Sequence, residues 1–198
     1  VTIMIAAIVS ATAGNFSNTE KKAPSAILDV SIYAHKQYDG YSTPAMIIRH
    51  ISGNVLQTKD LQIVTYYNAP GSGNISRGSL IGEKGVDLKG SSAGSDQYGV
   101  LFISDDSRFS DSTSHANWFG NTSATFRPGD ILVTPAQSCG SESSYSGNSD
   151  LKDNPGMDLL FPNVNFGNGE FNPGGVVSVK IIHTPSGQII FDKDVVIS

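Results

Sequence analysis

Cysteine is almost absent from the 198-residue chain, where Cys139 stands alone. That excludes an internal disulfide framework and any cysteine-built metal cluster within one chain. Charge is scarce as well: Asp, Glu, Lys and Arg make up 16 % of the residues, against about 25 % in an average soluble protein. The 13 basic residues are outnumbered by 18 acidic ones, for a net charge of -5. A phosphate backbone finds no cationic surplus here, so nucleic acid is not an expected partner, and a polybasic membrane anchor is equally out of place. Neither a P-loop nor a dinucleotide fingerprint occurs, and no cofactor is expected. His35, His50, His115 and His183 are scattered singly, without the spacing of a zinc site.

In place of charge the chain carries Ser, Asn, Thr and 21 glycines. Its length suits one domain, yet the composition is uneven along it. Val1 to Ala13 contains no charge, no Pro and no Gly, and it is apolar on every side, not along one stripe. Its Ala content and length predict a helix over residues 1–14, ended by Gly14 and Asn15, of the kind that must be buried all round. At 1.5 Å per residue it would reach about 20 Å, short of the ~30 Å hydrocarbon core of a bilayer. The missing initiator Met and basic stretch read as a chain that begins after processing or truncation, not as an intact signal peptide.

Residues 15–25 turn polar, with Glu20, Lys21 and Lys22, and read as a linker. Beyond them helical periodicity disappears. Short runs rich in β-branched and aromatic residues take over at Ile27–His35, Ala45–Ile51, Leu61–Tyr67, Tyr98–Ile103, Asp130–Thr134, Val176–Thr184 and Gln188–Val196. Gly, Pro, Asn and Ser clusters separate them. This pattern predicts a mainly β domain over 26–198, an antiparallel, immunoglobulin-like sandwich. Pro185-Ser186-Gly187 would close a hairpin between the last two runs. The tracts 68–97, 104–125 and 136–175 read as long functional loops.

Candidate chemistry is sparse. Gly90-Ser91-Ser92-Ala93-Gly94 fits the G-x-S-x-G nucleophile elbow, but that motif needs a strand before the serine and a helix after it, and a strand-like run follows here. The chain is therefore read as no enzyme. Oxygen ligands gather at Asp105, Asp106 and Asp111, at Asp150, Asp153 and Asp158, and at Asn163, Asn165 and Glu170; calcium takes such ligands, but solvated loop carboxylates are commoner and no EF-hand register occurs, so no metal is expected. Three sequons, at Asn15, Asn74 and Asn121, are candidate N-glycosylation sites and suit an exported surface protein. Cys139 has no nearby base and reads as a plain thiol.

Four segments in order resemble archaeal type IV pilins: VTIMIAAIVSATAGNF at 1–16, IRHISGNVLQTKDLQIV at 48–64, FRPGDILVTP at 126–135 and VVSVKIIHTPSGQIIFDKDVVI at 176–197. Together they span about half the chain. The family carries a leader and further apolar residues ahead of the position of Val1, so the resemblance makes Val1 an internal point of a longer helix. It implies an extracellular cell-surface filament: the leader is cut by a prepilin peptidase, the subunit waits in the membrane, and assembly machinery packs copies into a homopolymer with helices in its core and β domains outward. The assembly helix would use Ile3, Met4, Ile5, Ala6, Ala7, Ile8, Val9 and Ala11. Burying each large side chain among these is worth about 1.5–3 kcal/mol, and the alanines permit close approach. The competing expectation is a membrane-anchored surface protein that never polymerises and binds calcium or glycan through its loops.

Overall fold

The computed structural model describes residues 22–38, 41–70, 73–82, 88–89, 97–98, 101–104, 119–120, 124–134, 155–166 and 169–198. The strands are, in chain order, β1 (Ala26–Tyr38), β2 (Tyr41–Gly53), β3 (Leu56–Gln57), β4 (Leu61–Asn68), β5 (Ile75–Ile81), β6 (Leu88–Lys89), β7 (Gln97–Tyr98), β8 (Phe102–Ser104), β9 (Thr125–Phe126), β10 (Ile131–Val133), β11 (Val176–His183) and β12 (Gln188–Val196). A single α-helix among the described residues, α1 (Pro155–Leu160), precedes β11, and a 3-10 turn at Thr58–Asp60 joins β3 to β4. Sheet I has the order β1-β2-β10-β8 and sheet II the order β12-β11-β4-β5, and every pairing inside them is antiparallel. Two small ribbons, β3-β9 and β6-β7, complete the set. The chain is mainly β, as the sequence implies.

Alternation builds the core. On β4, Leu61, Ile63, Thr65 and Tyr67 are buried while Gln62, Val64, Tyr66 and Asn68 point away, and β11 repeats the pattern with Val177, Val179 and Ile181. These residues share one hydrophobic cluster with Val30, Ile32, Met46, Ile48 and Leu132 of sheet I. A second, smaller cluster of Ile47, Ile131 and Val133, with Tyr33 packed against it, lies on the opposite side of sheet I. The sheets also touch at an edge. Ile32 and Ile197 form a parallel bridge, Ser198 N donates to Ile32 O at 2.9 Å, and Ala34 N donates to Ser198 O at 2.9 Å. The C-terminus thereby covers part of the free edge of β1, which would otherwise be open to another strand.

Turn chemistry follows the sequence. Asp130 N donates to Arg127 O at 2.9 Å across Pro128-Gly129, and Gly129 sits at φ 97°. This is a type II turn, with Pro supplying the fixed φ and Gly the positive one. The β11–β12 hairpin closes through Gly187 at φ 67°, with a bulge between Ile181 and Ile182.

The structure departs from the sequence-based expectations within 68–97, 98–103 and 136–175. The helix expected over 1–14, and the linker up to residue 21, lie outside the described residues; where the chain enters the described fold, Ser25 N is tied to Asn54 Oδ1 at 3.0 Å. Among the described residues no helix is long and apolar enough to cross a membrane. The tract 68–97, read as a loop, contains β5, and the tract 136–175 contains α1. The run Tyr98–Ile103 is divided between β7 and β8, which belong to different sheets. The reason β5 escapes a hydrophobicity reading is its inward face, Ser76, Gly78 and Leu80, of which only one residue is large and apolar.

Candidate functional surface

Packing of α1 sets the floor of the domain. The Leu160 carbonyl accepts from Thr65 Oγ1 and lies directly over Gly78, where an added Cβ would overlap it. After α1, Phe161, Phe166 and Phe171 gather around Tyr67 with ring centroids 5.0–6.4 Å apart in tilted and edge contacts, the geometry the aromatic quadrupole favours. Glu170 ties the rim. Its backbone oxygen accepts from the Tyr67 hydroxyl at 2.7 Å, Oε1 from Asn74 Nδ2 at 3.1 Å and Oε2 from Asn165 N at 3.0 Å. Burial pushes the Tyr67 hydroxyl above its ordinary 10.0, a backbone hydrogen bond with Asn172 opposes this, and the Glu170 charge adds to the rise.

This arrangement gives Glu170, one of the oxygen ligands clustered in the sequence, a structural role. Glu170 is engaged with Asn165 N, with Tyr67 of β4 and with Asn74 in the β4–β5 connection, Asn163 takes a positive φ of 69°, and Asp158 lies exposed on α1. No group of three metal-ligating side chains occurs among the described residues. Asp105, Asp106, Asp111, Asp150 and Asp153 lie outside them, as do Ser92, His115 and Cys139.

The described histidines occupy three different settings. His35 is exposed on β1, whereas His50 is buried with Nδ1 3.1 Å from Phe126 O and Nε2 3.1 Å from Ser52 O. Both ring nitrogens of His50 thus lie against backbone carbonyls, and the contact with Phe126 O ties β2 to β9. His183 Nδ1 meets Ser186 Oγ at 2.8 Å within the hairpin turn. Beside His50 a shallow depression is lined by Arg49, Ile51, Gly129, Asp130 and Ile131.

Of the sequons, Asn15 and Asn121 lie outside the described residues. Asn74 is exposed at the end of the β4–β5 connection, but Ser76 two residues later is 1 % exposed and its hydroxyl has no hydrogen-bond partner. The folded domain therefore presents the Asn and hides the Ser. All eight assembly-helix candidates, Ile3, Met4, Ile5, Ala6, Ala7, Ile8, Val9 and Ala11, also lie outside the described residues.

Sequence reading missed the outer face of sheet II, because strand register was needed to assemble it. Cross-strand pairing sets Asp194, Ser178, Tyr66 and Arg77 in one row over all four strands, and Asp192, Lys180, Val64 and Ser79 in the next. Ser178 Oγ donates to Asp194 Oδ1 at 2.5 Å, Lys180 Nζ lies 3.2 Å from Asp192 Oδ2, and the Arg77 guanidinium sits 5.5 Å from the Tyr66 ring centroid. Apolar side chains flank these rows: Val196, Val176 and Ile75 at one end are 59 %, 51 % and 49 % exposed, and Ile189 at the other is 50 % exposed. The face is thus exposed, with apolar side chains at its ends and ordered charges between them.

Compared with family models, with curated proteins and with solved structures, the chain matches none. The resemblance to archaeal type IV pilins is therefore corrected. No family match carries it, and the described residues hold a mostly β body with no long apolar helix. The three β segments that suggested it are short strands and Gly-containing turns, which unrelated antiparallel folds build in the same way.

Proposed function

We propose that this chain is a non-enzymatic structural subunit of an extracellular assembly, a polymer of identical copies held together through residues 1–13, with an immunoglobulin-like β-sandwich displayed outward. The observation that supports this reading most is the division of the sequence itself: thirteen uncharged, all-round apolar residues joined by a polar linker to an antiparallel β body. Such a segment leaves water only by entering a bilayer or packing on copies of itself. Head-to-tail packing that does not close generates a filament. The long Gly-, Ser- and Asn-rich tracts then serve adhesion or lateral contact on its surface, and the sequons at Asn15, Asn74 and Asn121 are candidate glycan positions, the one at Asn74 only before folding buries Ser76.

Deleting residues 1–13 tests this. The expected product is a soluble β domain that sediments without polymerising and shows no fibres by electron microscopy; fibres formed by the truncated chain would sink the reading. A membrane-anchored surface protein that binds glycan or calcium shares the same apolar run. Images of the full-length assembly separate the two, because a helical lattice is incompatible with a solitary anchor.

A further inference from the structure

We propose that the outer face of sheet II is an isologous interface for a second copy of this chain, independent of any packing through residues 1–13. The row Asp194–Ser178–Tyr66–Arg77 has a negative charge on β12 at one edge and a positive charge on β5 at the other. Three strand spacings of about 4.8 Å separate the two ends by about 14 Å, too far to pair within one chain. A two-fold axis running along the strands, in the plane between two facing sheets, sets β12 against β5 of the copy and β11 against its β4. Asp194 then meets the copy's Arg77, and the reverse pair forms at the other edge.

The same operation brings apolar ends together. Val196 falls opposite the copy's Ile75, and Ile189 opposite its Ile81, so side chains that are half exposed in one copy are covered by hydrophobic partners. Self-complementarity under a two-fold is what an isologous contact requires. Here it holds for Asp194 with Arg77 and for the apolar pairs at the sheet edges, while Lys180 and Asp192 keep their own ion pair and face Val64 and Ser79 of the copy.

The β12 edge of the sheet argues for face contact over strand addition. On β12, Lys193 pairs with Val179 and therefore stands on the inward side of the sheet, yet it is exposed at the rim with its Nζ 5.7 Å from the Phe191 ring centroid. An inward-pointing charge on an edge strand blocks pairing with another chain. The face measures about 20 Å in each direction by strand spacing and rise, roughly half the ~800 Å² per partner of a standard interface. It suits a lateral contact that gains strength when copies are already held side by side.

The test uses the full chain carrying Cys139→Ser. One preparation carries Ser79→Cys and another Asp192→Cys, positions opposite each other under the two-fold, and the mixture is treated with a bismaleimide of about 10 Å span, the spacing of packed sheets. Links between 79 and 192 should exceed 79–79 and 192–192 links about tenfold. Adding Arg77→Asp to both preparations should reduce them about tenfold, and adding Asp194→Arg as well should restore them. Equal yields of the three links, or no recovery on charge exchange, overturn the interface. Filaments that persist without 79–192 links leave the proposed function standing and remove this contact; 79–192 links in a chain that never exceeds two copies do the opposite.

Discussion

Gly78→Ala is the most searching single change in this domain, because it adds one methyl group where α1 meets sheet II. The new Cβ would overlap the Leu160 carbonyl and stand 2.6 Å from Thr65 Oγ1. The obstacle on one side is backbone, so it cannot rotate away, and α1 must move outward by more than 1 Å to reach ordinary contact, roughly 3.4 Å or more between such atoms. That shift breaks the Thr65–Leu160 hydrogen bond, worth about 1 kcal/mol net and more if the carbonyl stays buried. It also loosens Met157, Leu160 and Phe161, all within 1 % of full burial. Overpacking of this kind costs about 1–3 kcal/mol, while replacing a strand glycine by alanine returns about 0.5–1 kcal/mol. The net expectation is a loss of about 2–3 kcal/mol, read as a fall in the urea midpoint at unchanged slope. Thr65→Val, which removes the donor without adding volume and leaves the Leu160 carbonyl buried, should lose about 1–2 kcal/mol. A Gly78→Ala chain as stable as the parent, or more so, would refute the account of why glycine stands on the inward face of β5.

Two further outcomes follow from the rim and the edge. The Tyr67 hydroxyl is pushed above 10.0 in the folded state, so the folded chain holds this proton more tightly than the unfolded one; the resulting stability is fully present below pH 10, declines as pH rises above that value and is lost through the higher folded value. Unfolding at stepped alkaline pH should show the decline, and Tyr67→Phe should remove this contribution to it. Lys193→Val should leave thermal stability within about 1 kcal/mol, while light scattering on heating should show earlier aggregation, because β12 would lose its inward charge.

What the sequence determined by itself is the local β structure whose residues alternate. Val177, Val179 and Ile181 against Ser178, Lys180 and Ile182 specify which face of β11 is buried, Pro128-Gly129 specifies the turn into β10, and Gln188–Val196 matches β12 end to end. These features need only period-two hydrophobicity and the dihedral limits of Pro and Gly. The inward face of β5 carries no such signal, since the position of the α1 carbonyl, not hydrophobicity, selects glycine at 78. The sequence leaves His50 a single histidine within a strand and Glu170 one of several loop oxygen ligands; tertiary structure sets their polar atoms against backbone and side-chain partners up to 103 residues away. The charge row on sheet II likewise comes from strands at 62–68, 75–81, 176–183 and 188–196. Register across four strands is a long-range property, and only the fold brings Asp194 and Arg77 to opposite ends of one line.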